Sequence, residues 1–339
     1  MSVAVLEMKR GRLQNVRAEF VPGLRFRENG VPQGARVVSA FLRVAHFEDQ
    51  LHAHRIPELE IPPRNFSFIP IEVSSIMNGR SFPIVKISVL ASSSAGNSTL
   101  VATERTCLLV DAGLSRKETF ERLAAAGVDP ESLDAILITH EHNDHINGLQ
   151  AIAKKLEIPV YLSRMTAPAI DWGEFTPRLE LFQAGSCFTI GDIDVTSFTI
   201  PHDAADPVGY SFRAEGVKVS IATDLGYVPE SIRFHLCGSD VLLLESNHDL
   251  EMLKVGPYPW AVKQRVMGRN GHLSNDRACA FIRDHLDTRT STLILGHISE
   301  SNNHPAIVRQ CAAEALDGRD LFTRLIIAPA RAATETIVY

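Results

Sequence analysis

The sequence predicts an α/β protein in which two mixed β-sheets are flanked by helices. From Ile84 onward, short apolar runs alternate with turn residues, a pattern typical of strands. Segments with helical apolar spacing follow several of these runs, and strand meanders precede mixed strand and helix units. Strands are predicted at 87–91, 100–102, 106–110, 135–139, 160–162, 193–200, 217–222, 241–245, 292–295 and 324–328, and helices at 117–126, 146–156, 261–267, 276–285 and 305–316.

Length and composition favour one large domain with an appendage. The 339 residues can bury a full core, and 45% hydrophobic with 22% charged residues is an ordinary globular composition. The five cysteines are scattered and include no Cys-x-x-Cys pair, which favours a reducing compartment. Neither a long apolar stretch nor a signal-peptide core is present, so a cytoplasmic location without membrane contact is expected.

Residues 1–80 differ in pattern from residues 81–339, which we expect to form the functional domain. The first segment has no sustained apolar period, and several stretches that contain Pro and Gly interrupt it. We interpret it as an N-terminal extension of unknown role, for which poor order is one expectation. His52 and His54 are expected to be surface residues. We hypothesise that a chain beginning at Met77 is sufficient for activity.

The clearest chemical signal lies in residues 139–145, directly after the apolar run 135–138. A loop at the carboxyl end of a strand is where α/β folds place ligands. On an extended backbone His140 and His142 point to the same side, while Asp144 and His145 can reach a second point. Imidazole and carboxylate ligands suit Zn²⁺, Mn²⁺ or Fe²⁺. We therefore predict that this loop binds two cations.

Two cations need further ligands, and these are expected just past other strands. His202 follows the strand predicted at 193–200 and is the expected third ligand of the metal at His140 and His142. Asp224 follows the strand predicted at 217–222. Its two carboxylate oxygens can bridge two cations, although an Asx turn is the alternative interpretation.

Several motifs together resemble one known family. Residues 140–145 match the His-x-His-x-Asp-His signature of the metallo-β-lactamase superfamily. Within the superfamily the chain resembles the YycJ/WalJ (VicX) group of nucleases over roughly residues 85–320. This resemblance implies an αββα sandwich. The motifs that carry it lie at 90–97, 109–114, 245–249, 256–259, 271–275 and 295–299.

The resemblance also implies roles for two further residues. Asp111 corresponds to an aspartate that supports the His loop from behind, although local sequence alone also fits a cap or turn residue. His297 corresponds to the last metal ligand and would complete the metal at Asp144 and His145. The expected ligands of two divalent ions, Zn or Mn, are then His140, His142, Asp144, His145, His202, Asp224 and His297.

Phosphodiester hydrolysis is the expected reaction, with a metal-bridged hydroxide attacking phosphorus. His272 precedes an amphipathic segment and is the best candidate to protonate the leaving oxygen, and Glu245 could orient it. This pair is similar to one in tRNase Z and in phosphodiesterases of the superfamily. The expected catalytic residues are His272, Glu245 and Asp144. Asp144 is also an expected metal ligand.

Substrate contacts are predicted between His248 and His272, where basic residues are interleaved with Tyr258 and Trp260. This pattern suits a phosphate backbone and a stacked base, although a solvated helix face is the plain alternative. DNA is therefore the expected substrate, even though the net charge of −6 does not by itself indicate a nucleic-acid-binding protein. The predicted contact residues are His248, Lys263, Arg265 and Arg269.

The resemblance implies a 5′→3′ exonuclease that acts on DNA, with a role in repair. The spacing between Asp224 and His272 is too short for the inserted domain of β-CASP nucleases. Two alternatives stay open: a phosphodiesterase that acts on small or cyclic phosphodiesters, and a non-catalytic metal-binding regulatory protein. The full set of ligands argues against the second. The sequence does not predict the oligomeric state.

Overall fold

The computed structural model describes residues 4–9, 12–17, 84–318 and 322–339. The chain divides into two compact units, Met1–Met77 and Asn78–Tyr339. In the first unit, β1 (Ala4–Lys9) and β2 (Arg12–Arg17) form an antiparallel hairpin that the sequence did not predict. His52 and His54 lie outside the described residues. The proposed role of residues 1–80 as an extension stays a prediction.

The first sheet of the second unit begins with an antiparallel meander and continues with parallel strands. β3 pairs antiparallel with β4, and β4 with β5, whereas β5 to β8 run parallel. Almost every residue of the first four strands is buried, because both faces of the sheet are covered. Its strands are β3 (Lys86–Ser93), β4 (Gly96–Ala102), β5 (Cys107–Val110), β6 (Ala135–Leu137), β7 (Val160–Ser163) and β8 (Leu179–Phe182).

The second sheet repeats this arrangement of antiparallel and then parallel strands. β9 to β12 are antiparallel neighbours, and β12 to β15 run parallel. A short last strand, β16, returns to the first sheet and pairs with β3. The strands are β9 (Cys187–Ile190), β10 (Ile193–Thr199), β11 (Val208–Ala214), β12 (Val217–Ala222), β13 (Val241–Glu245), β14 (Thr292–Gly296), β15 (Arg324–Ile327) and β16 (Ile337–Val338).

Helices cover the outer face of each sheet, so the predicted αββα sandwich is confirmed. Apolar side chains such as Val89, Leu137 and Tyr210 fill the space between the sheets. Leu123 and Ile152 belong to the core outside the first sheet, and helices α4, α7 and α8 contribute to the core outside the second. The helices are α1 (Arg116–Ala125), α2 (Asn143–Ile146), α3 (Leu149–Leu156), α4 (Glu230–Leu236), α5 (Leu250–Val255), α6 (Trp260–Met267), α7 (Asn275–His285) and α8 (Pro305–Leu316). None of these helices combines the length and apolarity that crossing a bilayer requires.

Every predicted strand and helix overlaps an observed one, but several short elements were missed. Strand β11 contains Gly209 and was not recognised. A Cβ atom at Gly209 would lie 2.5 Å from the ring of Phe198, so glycine is needed here to let that ring pack against the strand. Strands β8, β9 and β16 and helices α4 and α5 were also missed, because their sequences are too short to establish a period.

The two sheets bring the polar strand ends to one edge of the sandwich. Three non-glycine residues adopt left-handed backbone conformations there: Asp111 after β5 (φ 61°), Asp224 after β12 (φ 60°) and His297 after β14 (φ 53°). Such conformations are costly for residues other than glycine and cluster at functional sites. The backbone therefore turns sharply at three of the predicted site residues.

Removal of residues 1–76 is expected to leave a folded and active protein. All of the described helices, both seven-stranded sheets and every predicted site residue lie in the unit Asn78–Tyr339. A chain beginning at Met77 should therefore melt cooperatively within about 3 °C of the full chain. Calorimetry and an activity assay on both chains test this expectation. A shortened chain that aggregates, or that folds without activity, would refute it.

Candidate metal centre

Three histidine rings converge at the edge of the sandwich. His140 and His142 lie in the loop between β6 and α2, and His202 follows β10. The Nε2 atom of His140 is 3.0 Å from Nδ1 of His142, and Nε2 of His202 is 3.2 Å from the same Nδ1 atom. His140 and His202 are buried, whereas His142 is half-buried. The ring nitrogens thus face one common point.

A second group lies beside the three histidines. It consists of Asp144, His145 and His297, whose potential ligand atoms lie within 4.8 Å of one another. Asp144 and His145 lie in the first turn of helix α2, which begins directly after His142. The ring of His145 stacks on that of His297, with 6.0 Å between the centroids. The loop after β6 therefore contributes to both groups, as its sequence predicted.

Asp224 lies between the two groups. Its Oδ2 atom is 3.4 Å from Nε2 of His145 and 3.2 Å from Nδ1 of His297, while Oδ1 is 3.9 Å from Nε2 of His202. Its side chain is 2% exposed, so the carboxylate has almost no contact with solvent. One oxygen thus faces each group, which is the placement expected of a bridging ligand.

These residues fit divalent metal ions. Tetrahedral Zn²⁺ with Zn–N bonds of about 2.0–2.1 Å holds ligand nitrogens roughly 3.3 Å apart, close to the spacing of the three ring nitrogens. Two buried atoms, Oδ2 of Asp224 and Nδ1 of His297, have no aligned hydrogen-bond partner among the described residues. Buried polar atoms without partners are costly, and a cation would satisfy both.

The protonation states of Asp224 and His140 also suit cations. Burial alone would raise the pKa of Asp224, but the neighbouring rings of His297 and His145 hold it well below its usual range. Burial and the nearby ring of His145 lower the pKa of His140 well below its usual range. Asp224 is therefore an ionised carboxylate and His140 a neutral imidazole, the forms in which these two residues bind metal.

Asp111 supports the His loop from behind, as the resemblance implies. Its Oδ1 atom accepts a hydrogen bond from the backbone N–H of Thr139 at 2.8 Å, and its Oδ2 atom is 2.8 Å from Nδ1 of His145. The contact with Nδ1 leaves Nε2 of His145 directed at Asp144 and Asp224. This carboxylate thus fixes the ring orientation and the tautomer of His145.

Substitution of Asp111 by asparagine is expected to weaken metal binding by about 10–100-fold without unfolding the chain. The amide retains the size of the carboxylate but can present only one acceptor oxygen, so it cannot serve both Thr139 and His145 as Asp111 does. Metal affinity measured by competition with a chelator tests this expectation. The exposed carboxylate Asp171 provides a matched control in Asp171→Asn. Equal affinities in all three proteins would contradict the supporting role.

Two residues of the hairpin formed by β3 and β4 also contact the centre, and sequence reasoning did not assign them these roles. Nδ2 of Asn97 donates to Oδ2 of Asp144 at 3.1 Å, and Oγ of Ser92 accepts from the backbone N–H of His297 at 2.7 Å. The small side chains of residues 92–98 allow this close approach. Gly113 contributes too, because a Cβ atom there would lie 1.7 Å from the carbonyl oxygen of Asp144.

His272 and Glu245 form a pair next to the cluster. Nδ1 of His272 is 2.8 Å from Oε1 of Glu245 and 3.7 Å from Oδ1 of Asp224. Glu245 is fully buried and also accepts backbone hydrogen bonds from Leu225 at 2.9 Å and from Leu273 at 3.2 Å. Burial alone would lower the pKa of His272, but the carboxylate of Glu245 raises it above its usual value. The pair therefore presents an oriented imidazole beside the centre.

The four predicted substrate contacts lie in different environments. The ammonium of Lys263 is buried and donates to the carbonyl of Lys254 at 2.7 Å. Arg265 forms an ion pair with Asp203, next to His202. The guanidinium of Arg269 lies over the ring of Tyr227, 4.6 Å from its centroid. His248 is buried, and burial lowers its pKa to about 4. Their roles toward a substrate stay predictions.

The comparisons with known proteins agree with this arrangement. Residues 106–298, more than half of the chain, match the family described as "Beta-lactamase superfamily domain". The chain belongs to the metallo-β-lactamase superfamily. It is 39% identical to the exodeoxyribonuclease YycJ of Bacillus anthracis over 233 residues, which cover 68% of this chain and 88% of the relative. It is 42% identical to the exodeoxyribonuclease WalJ of Streptococcus pneumoniae over 238 residues, which cover 67% of this chain and 88% of the relative.

Solved structures share the fold of this superfamily member. The metallo-β-lactamase fold protein YhfI from Bacillus subtilis aligns with a TM-score of 0.57 at 18% identity, over 76% of this chain and 100% of that protein. Human tRNase Z, short form, aligns with a TM-score of 0.52 at 17% identity, over 74% of this chain and 98% of that protein. The predicted membership in the superfamily and the similarity to YycJ and WalJ are confirmed, and the protein is a metal-dependent hydrolase.

Proposed function

We propose that this hydrolase is an exodeoxyribonuclease that degrades DNA from the 5′ end and requires two divalent ions, Zn²⁺ or Mn²⁺. The observation that carries the proposal is the similarity to YycJ and WalJ, because the chain is 39–42% identical to relatives named exodeoxyribonucleases and covers 88% of their length. The pair of His272 and Glu245 beside the histidine and aspartate cluster supports the same chemistry.

Seven residues would hold the two ions. The first ion would be bound by His140, His142 and His202, and the second ion by Asp144, His145 and His297. Asp224 would bind both ions. When bound, such ions lower the pKa of water, orient the phosphate and neutralise its charge. The chain supplies rigid ligands for this task, because Asp111 and Asn97 fix His145 and Asp144 from behind.

His272 would protonate the leaving 3′-oxygen. Its Nδ1 atom is engaged by Glu245, so Nε2 is the ring nitrogen that can donate a proton toward a substrate. Glu245 is positioned in turn by the backbone N–H groups of Leu225 and Leu273. An imidazole held in this way keeps one tautomer and one orientation, which is what a general acid requires.

A labelling experiment tests the proposal. Metal-stripped protein is resupplied with Mn²⁺ or Zn²⁺ and incubated with 5′-labelled and 3′-labelled single- and double-stranded DNA, alongside bis-p-nitrophenyl phosphate. Stepwise release of mononucleotides from the 5′ end, absent without metal, is expected. Cleavage of the small ester with intact DNA would contradict the proposal and indicate a phosphodiesterase for small substrates.

A further inference from the structure

A cavity of about 460 Å³ is lined by residues of helices α4 and α7 and of the chain segments that precede these two helices. We propose that it binds a nucleotide of the DNA strand adjacent to the phosphodiester that is cut. This inference rests on the proposed function and extends it. The lining combines guanidinium groups and one carboxylate, that of Asp284, with aromatic and aliphatic side chains. Among the lining residues are Tyr227, Arg233, Arg269, Leu273, Arg277 and Phe281.

The lining contains three arginines and one aspartate, so its net charge is positive and favours an anion. Among the described residues, neither Arg269 nor Arg277 has a carboxylate partner: Arg269 lies over Tyr227, and Arg277 donates to the backbone carbonyl of Gly226. Arg233, at the rim, pairs with Glu230 at 3.0 Å. A guanidinium has five N–H donors, so both unpaired arginines keep donors available for a phosphate.

The apolar part of the cavity suits a planar ring. Among the lining residues, Leu273 and Phe281 are buried and Tyr227 is half-buried. Aromatic side chains next to arginine are typical of surfaces on which a nucleic-acid base stacks beside a bound phosphate. The volume lies within the range of small-molecule sites. The combination of charge and apolar surface therefore fits a nucleotide better than an inorganic anion.

The cavity and the metal centre share the same two chain segments. The segment after β12 carries both Asp224 and Tyr227, and the segment before α7 carries both Arg269 and His272. These segments pack directly, because a Cβ atom at Gly226 would lie 2.2 Å from the carbonyl oxygen of Arg269. A DNA strand whose phosphodiester lies at Asp224 and His272 would thus place a neighbouring nucleotide beside the cavity.

Charge reversal in the cavity tests the inference. The metal-loaded full chain is titrated into a fluorescein-labelled single strand whose phosphorothioate linkages resist hydrolysis, and binding is followed by fluorescence anisotropy. Arg269→Glu and Arg277→Glu are each expected to weaken binding at least about tenfold. Arg309→Glu, an exposed substitution on α8 outside the cavity with the same charge change, should bind like the wild type. Melting temperatures establish that each variant is folded.

The outcomes separate this inference from the proposed function. Equal DNA binding by the wild type, Arg269→Glu and Arg277→Glu would overturn the inference. It would also be overturned if Arg309→Glu lost as much DNA affinity as the two cavity variants, or if the wild type did not bind DNA. Selective loss in the cavity variants, with a wild type that leaves ordinary DNA intact, would support the cavity as a nucleotide site while contradicting the exonuclease. Arg269→Glu tests the inference independently if Arg277→Glu fails to fold, since the hydrogen bond to the backbone carbonyl of Gly226 comes from Arg277.

Discussion

Substitution of Asp224 by alanine is expected to lower the rate of phosphodiester hydrolysis by at least about 10³-fold. The carboxylate lies between the two groups of ligands and is the residue assigned to both ions, so its loss removes a ligand from each. Stabilisation of transition-state charge by a metal ion amounts to several kcal/mol, and about 4 kcal/mol corresponds to 10³-fold in rate. Values of kcat/KM on DNA and on bis-p-nitrophenyl phosphate should fall together.

A matched control separates this effect from a general loss of a carboxylate. Asp194→Ala removes an exposed aspartate of β10 and should leave both rates and the metal content unchanged. Metal analysis of the Asp224→Ala protein should find fewer bound ions than in the wild type. Wild-type activity in a variant that keeps its metal would contradict the assigned role of Asp224.

Substitution of His272 by alanine is expected to reduce DNA cleavage by about 10²–10⁴-fold but to affect bis-p-nitrophenyl phosphate much less. A deoxyribose 3′-oxygen is a strong base and needs a proton as it leaves. A p-nitrophenolate leaving group is a weak base and does not. The ratio of the two rates, compared between wild type and variant, therefore reports the proton transfer itself.

Two further variants define the origin of this effect. Glu245→Gln should change the ratio in the same direction as His272→Ala, because Glu245 holds Nδ1 of His272 at 2.8 Å. Asn270→Ala, an exposed substitution two residues away in the same segment, should leave the ratio unchanged. Equal losses on DNA and on the small ester in His272→Ala would instead indicate a role in positioning the metal centre or the phosphate.

Where a polar residue follows an apolar strand, local sequence predicted which side chains lie together at the edge of the sandwich. Their roles as metal ligands stay predictions. His140 and Asp224 follow strands that have a parallel neighbour, and the carboxyl ends of parallel strands meet at one edge of a sheet. His202 instead follows the antiparallel strand β10. His297 was identified through the resemblance to a known family. The contacts of Asn97 with Asp144, and of Ser92 with His297, span 47 and 205 residues of sequence. No local pattern predicts such pairs, because only the sheet order brings them together.

The backbone conformation at the centre could not be predicted from a local sequence pattern either. Asp111, Asp224 and His297 adopt left-handed conformations that local propensity assigns to glycine. Strand β11 was missed for a related reason, since Gly209 is required by the packing of Phe198 from a neighbouring strand. In both cases a tertiary contact overrides the local preference of the chain.

Titration of metal-stripped protein with Mn²⁺ or Zn²⁺, with DNA cleavage followed at each addition, tests the central claim most directly. Two ions per chain are predicted to bind, and activity should rise until the second site is filled. Asp224→Ala should bind fewer ions and stay inactive throughout. Full activity with a single ion per chain, or activity that persists after all metal has been removed, would contradict a centre in which seven residues hold two ions.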